Sequence, residues 1–311
     1  MEQTQEQETE QAISKVIADL MDYMERTGTT QSRVAKACGI SSATLSYFTK
    51  GNYGGDVGSV ADKVRDFLEI EATRAATKCK DGGIVRTSAF GTIQKFCGLV
   101  LTHKVVGLLT GDAGVGKTTA LKAFSKDHPS VILIEADHGY TARALFDELC
   151  AHLALDDRGS LHQKLVRVVE KLDGSGRMII IDEAEHLPYR ALELIRRVYD
   201  KAGVGIALCG MPRLEKNVQG DREHYAQLNS RVSAPCRARL LTDGDIKAYL
   251  ESRFSGYDSG CVAECARMCR RNFRLLSHLV HWSVEIMRKN ALSSLDNDVL
   301  AQASEMLAVA R

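Results

Sequence analysis

The stretch VVGLLTGDAGVGKTTALKAF, residues 105–124, constrains this chain's fold more than any other. An apolar run ends in Gly-x-x-x-x-Gly-Lys-Thr, with Gly111, Gly116, Lys117 and Thr118 at the fixed places, and a helical pattern follows. Strand, glycine-rich loop and helix in that order make a phosphate cradle. The glycines let backbone N–H groups turn inward, and the helix directs its positive end at the anion. Gly111, Asp112, Ala113, Gly114, Val115, Gly116, Lys117, Thr118 and Thr119 are therefore expected to hold nucleotide phosphates. Lys117 reaches the β and γ groups and Thr118 ligates the metal, so the expected cofactors are ATP and Mg2+.

Such a loop needs a sheet behind it, and the sequence supplies one. From residue 105 the short apolar runs VVGLLT, VILIEA, MIIID and VGIALCG alternate with amphipathic stretches such as ALFDELCAHLAL and ALELIRRVYDKA. Continuous apolar strands flanked by helices predict a parallel sheet buried on both faces, hence an α/β core. In RMIIIDEAEHLP the run Met178–Ile181 delivers Asp182 and Glu183 to a strand's C-terminal end, where ligands collect in open α/β sheets. The pair follows the phosphate loop by about 65 residues, which is the arrangement of a hydrolytic site. Asp182 is expected to hold Mg2+ through its waters, and Glu183 to orient or polarise the attacking water. The adjacent Glu185 and His186 do not complete His-Glu-x-x-His and read as neighbours rather than metal ligands.

The flanks follow a different grammar. Residues 1–11 read as a disordered tail, and Ile13, Val16, Ile17, Leu20 and Met24 then begin a helical stripe. A small all-α domain is expected over 12–75, a linker around Gly82 and Gly83 over 76–92, the α/β core over 93–241, and a helical lid over 242–311. Within the first domain, Ala35, Gly39, Leu45 and Phe48 have helix-turn-helix spacing: a small residue at the crossing, glycine at the turn, apolar residues under the second helix.

Lys and Arg number 41 against 40 acidic residues, so contact with a polyanion must come from local clustering. Cys261, Cys265 and Cys269 recur along one helical face; small apolar packing is the plainer reading, and metal binding would need a fourth ligand such as His278 or His281. Nine cysteines without a paired framework suit a reducing compartment, and no apolar run approaches the roughly 20 residues of a membrane span. The expected location is the cytoplasm, with no membrane partner.

GDAGVGKT, IIIDEAEHL, IALCGMPRL, LNSRV and RNFRLLSHLVH together resemble the AAA+ ATPases. With QSRVAKACGISSATLSYFTKGNYGGD ahead of them, the chain looks like a member of the B transposition protein family of Mu-like phages, over nearly its whole length. The resemblance implies an AAA+ P-loop ATPase with a parallel sheet and C-terminal helical lid, preceded by a small helix-turn-helix domain. It also implies a protein that forms ATP-dependent helical filaments with itself on double-stranded DNA, delivers that target to a transposase and stimulates strand transfer. By the same resemblance Arg231 matches an arginine finger that completes a neighbouring subunit's site, and Arg274 matches the lid arginine that senses the γ-phosphate. Met211 departs from the family, which usually has a polar residue there. Methionine cannot donate a hydrogen bond, which implies slow turnover or a substitute group from elsewhere.

Two segments compete for DNA. Residues 31–55 hold Arg33, Lys36 and Lys50 and no acid. Arg33, Ser42, Ser46, Tyr47 and Lys50 suit phosphate and modest groove contacts. In HGYTARAL, residues 138–145, Thr141 and Arg143 are the candidates, in a loop that relatives present to DNA. The alternatives are an ATPase-linked transcriptional regulator, with the helix-turn-helix reading an operator, or a helicase loader.

Overall fold

The structure, a computed structural model, describes residues 2–77, 83–220 and 226–309. The chain divides into two units, Met1–Asp81 and Gly82–Arg311. Residues 78–82 of the expected linker lie outside the described residues.

The first unit holds four helices: α1 (Glu2–Thr27), α2 (Gln31–Ala37), α3 (Ser42–Thr49) and α4 (Val57–Thr77). Helix α1 starts within the stretch expected to be a tail, whose Glu and Gln residues are good helix formers. Val16 and Leu20 of α1, Val34 and Ala35 of α2, Leu45 and Phe48 of α3, and Val60 and Val64 of α4 form one buried core. The α2–α3 turn passes through Gly39 at φ +64°, a left-handed conformation that glycine adopts without strain. Ser41 then caps α3 by accepting from the Thr44 amide at 3.0 Å.

The second unit opens with α5 (Ser88–His103), whose start falls inside the expected linker because Thr87 caps it. There follow β1 (Val106–Thr110), α6 (Lys117–Asp127), β2 (Val131–Glu135), α7 (Ala142–His152), α8 (Leu161–Leu172), β3 (Met178–Asp182), a single 3-10 turn (Ala184–His186), α9 (Tyr189–Ala202), β4 (Gly205–Gly210), α10 (Pro212–Gly220), α11 (Ala226–Asn229) and β5 (Val232–Arg237). The strands form one sheet in the order β2-β3-β4-β1-β5, every neighbouring pair parallel. Alternate residues feed opposite faces. Ile179 and Ile181 join the core under α7, α8 and α9, while Met178 and Ile180 join the one under α5 and α6. Each of these four side chains is fully buried, contributing about 1.5–3 kcal/mol apiece.

The lid comprises α12 (Asp243–Arg253), α13 (Cys261–Met268), α14 (Phe273–Lys289) and α15 (Asn297–Val309). Cys261, Cys265 and Cys269 are buried in its core, and burial pushes the Cys265 thiol up to about 12. Asp245 ties the lid to the core domain: it accepts from the backbone and hydroxyl of both Thr242 and Ser88, at 2.6–2.9 Å. Among the described residues no helix is long and apolar enough to cross a membrane.

Candidate nucleotide site

The phosphate loop joins β1 to α6. Gly116 sits at φ +97°, a backbone conformation that favours glycine, and a Cβ there would meet no other atom within 4 Å. Helix α6 begins at Lys117 with no side-chain cap and no acid in its first turn, so its first amides remain available to an anion. Lys117 Nζ donates to the carbonyls of Gly111, at 2.6 Å, and Asp112, at 3.1 Å, across the loop. Burial lowers the Lys117 pKa, against the attraction of Asp182 and Glu185. Val115 is buried in the core and anchors the loop, whereas Asp112, Ala113 and Thr119 are exposed. The Gly111 amide donates to the Gly210 carbonyl at 3.2 Å, which fixes the loop's start to the end of β4.

Strand β3 brings its acids to the same place. Thr118 Oγ1 donates to Asp182 Oδ2 at 2.6 Å, and the Glu183 amide donates to Asp182 Oδ1 at 3.0 Å. Asp182 is 1% exposed, and burial raises its pKa against these hydrogen bonds and the Lys117 charge. Glu183 adopts φ +53°, which turns a half-exposed carboxylate away from the strand. The hydroxyl of Thr118 and the carboxylate of Asp182 are hard oxygen donors, a set that fits Mg2+ with waters completing its shell.

A cavity of about 500 Å3 collects these groups; Lys117, Thr118, Asp182, Glu183, Met211 and Arg274 all line it. Beside it lies a cavity of about 320 Å3 walled by Val85, Phe90, Val115 and Tyr249 and sharing Gly116, Thr119, Phe273 and Ser277 with the first. A polar cleft next to an apolar slot suits a nucleotide's phosphates and base. The lid closes onto both: Asn272 Nδ2 donates to the Ala113 carbonyl at 2.6 Å, and the Arg274 amide to that of Gly114 at 3.2 Å.

Arg274 is thus beside the phosphate loop, exposed, and without an ion-pair partner among the described residues. Arg231 is not among the residues lining this cavity. It stands at the start of β5, its Nε 3.2 Å from Asp200 Oδ1 on α9. Phe273 and Arg213 also border the cavity, and Asn272 bonds the phosphate loop beside it; sequence reasoning did not select them, and a cation three residues beyond β4 was the available signal for Arg213. Glu185 and His186 line the cavity as well, and among the described residues no group of three or more His, Cys, Asp or Glu could hold a metal.

The DNA candidates fall on separate surfaces. Ser42, Tyr47 and Lys50 are exposed on and just beyond α3, and Ser46 is half-buried. Arg33 borders a groove with Tyr23, Lys63 and Asp66 of α1 and α4, which none of the α3 candidates lines. Thr141 caps α7, accepting from the Ala144 amide at 3.1 Å. Arg143 is exposed two residues on, near Asp147 and the Gly159 carbonyl.

Residues 101–218 match the AAA domain family. The chain is 27% identical over 245 residues to the Mu-like prophage FluMu DNA transposition protein B of Haemophilus influenzae, covering 76% of this chain and 84% of that protein. It is 26% identical over 247 residues to the ATP-dependent target DNA activator B of Escherichia phage Mu, covering 77% and 78%. Among solved structures the fold is similar to the Aeropyrum pernix ORC1 protein in complex with DNA, with TM-score 0.52, 17% identity, and 75% and 69% of the two chains covered. It is also similar to the ORC2 protein of the same organism in its ADP form, with TM-score 0.53, 15% identity, and 72% and 69% covered. The parallel sheet, the phosphate loop facing Asp182 and the matched AAA domain agree: the chain is a P-loop ATPase that carries an AAA domain and is similar in sequence to the B transposition proteins of phage Mu and a Mu-like prophage.

Proposed function

We propose that the chain is an ATP-dependent activator of target DNA in transposition, binding double-stranded DNA with little sequence preference. In its ATP-bound state it assembles as a filament on that DNA and delivers it to a transposase, stimulating strand transfer. Hydrolysis releases the DNA. The observation that carries the reading is similarity to two transposition B proteins in a chain whose own phosphate loop and acidic strand end meet in one cavity.

The residues divide the work as their positions allow. Loop amides from Gly111 to Thr119 and the Lys117 ammonium bind the phosphate chain. Thr118, and Asp182 through water, would hold Mg2+, which would supply neutralisation of charge on the phosphate oxygens. Glu183, half-exposed at the cavity, orients the attacking water and takes its proton. Arg274 approaches from the lid, and Arg231 serves a neighbouring subunit's site, exchanging its bond to Asp200 for phosphate oxygens when subunits stack. The first unit is a weak DNA tether through Ser42, Ser46, Tyr47 and Lys50, with Arg33 on its flank. Thr141 and Arg143 contact DNA from the ATPase unit.

Electron microscopy with random-sequence duplex tests the proposal: helical coating with ATP and bare duplex without it are expected. Sequence-specific footprints that persist without ATP would instead identify a transcriptional regulator.

A further inference from the structure

Strand β4 ends at Gly210 inside the nucleotide cavity, and the next side chain, Met211, has no proton to donate. The polar groups at that end come from Glu185 and Arg213. Glu185 has a side chain only 2% exposed; its Oε1 accepts from the Met211 amide at 3.1 Å, while its Oε2 has no hydrogen-bond partner among the described residues. A Cβ at position 210 would overlap Glu185 Oε2, so glycine there admits the carboxylate. A buried carboxylate is unfavourable unless a cation stands close. Arg213 Nε lies 3.8 Å from Glu185 Oε1, and its Nη2 lies 3.1 Å from His186 Nδ1.

Arg213 is therefore held from behind by two side chains while it lines the same cavity as Lys117, Thr118, Asp182 and Glu183. Its side chain is 52% exposed, so most of its five N–H donors remain available to a ligand. The anchor also reaches the water-activating group, since His186 Nε2 is 3.7 Å from Glu183 Oε2.

We propose that Arg213 binds the terminal phosphate oxygens of ATP, positioned by Glu185 and His186, and so supplies the polar contact that Met211 cannot. ADP lacks those oxygens, and the guanidinium thereby distinguishes the two nucleotides. This inference rests on the ATPase site and is independent of the transposition reading.

The test is equilibrium binding of a fluorescent non-hydrolysable ATP analogue and the matching ADP analogue to the full chain without DNA. In Arg213→Ala, affinity for the ATP analogue should fall about tenfold or more, with ADP binding within about twofold of wild type. Arg213→Lys, which keeps the charge but loses the planar fork, should recover part of the loss. Equal weakening of both nucleotides, or of neither, would overturn the proposal. A wild-type chain that binds neither analogue would overturn the ATPase assignment itself, and the proposal with it.

Discussion

Thr118 Oγ1 donates to Asp182 Oδ2 across 2.6 Å, fastening the first turn of α6 to the end of β3, 64 residues away in sequence. Asp182 is almost fully buried, and this bond opposes the rise that burial imposes on its pKa. Thr118→Ala should leave the carboxyl harder to ionise and remove one of two metal-facing oxygens. Phosphate release assayed across a Mg2+ titration should show the requirement rising by roughly 10- to 100-fold. An unchanged requirement would remove Thr118 from the metal site.

Glu183→Gln keeps the shape of the side chain but not the base. Steady-state turnover should drop by about 100- to 10,000-fold, with ATP affinity nearly unchanged. DNA complexes formed with ATP should persist correspondingly longer when followed by competitor challenge. Wild-type dissociation from the variant would break the link between hydrolysis and release.

The lid's hold on the phosphate loop depends on Asn272, which bonds the Ala113 carbonyl and also caps α14 by accepting from the Leu275 amide. Asn272→Ala should cost about 1 kcal/mol of stability through the lost cap. It should also speed nucleotide dissociation in stopped-flow traces. Asn272→Asp retains the capping acceptor but not the donor to Ala113, so it should restore stability without restoring the slow dissociation.

Asp245 gives the fold a predictable acid response. Burial acts to raise its pKa, but the hydrogen bonds from Ser88 and Thr242 prevail and hold it below 3.8. A carboxylate with a lowered folded pKa contributes stability above its unfolded value, and that contribution disappears as pH falls through the folded one. Asp245→Asn should be less stable than wild type at neutral pH by about 1–3 kcal/mol. In denaturant titrations the gap should narrow below pH 3.8; a gap independent of pH would contradict the assignment.

The α/β core and its phosphate chemistry were legible because they depend on local pattern: four buried strands are continuous apolar runs, the glycine loop runs from the end of β1 to Lys117 at the start of α6, and Asp182 and Glu183 stand at the end of β3. Strand β5 was not legible. It is an edge of the sheet, only half-buried at alternate residues and exposed at the others, and contains Pro235, whose missing N–H an edge tolerates. Asn272 and Arg213 escaped for a different reason. Their roles come from packing against Ala113 and against Glu185 and His186, contacts that no spacing in the sequence encodes. The exposed faces of α3 and of the Thr141 loop carry ordinary polar residues, so composition alone could not rank them.

In the proposed cycle, ATP bound at Lys117 switches on the grip on DNA. Fluorescence anisotropy of a labelled random-sequence duplex, titrated with wild type and Lys117→Ala at one salt concentration, measures this directly. Tight binding by wild type with ATP, weak binding with ADP or no nucleotide, and weak binding by the variant throughout are the predicted results. Equally tight binding by Lys117→Ala, or by wild type without nucleotide, would contradict the account.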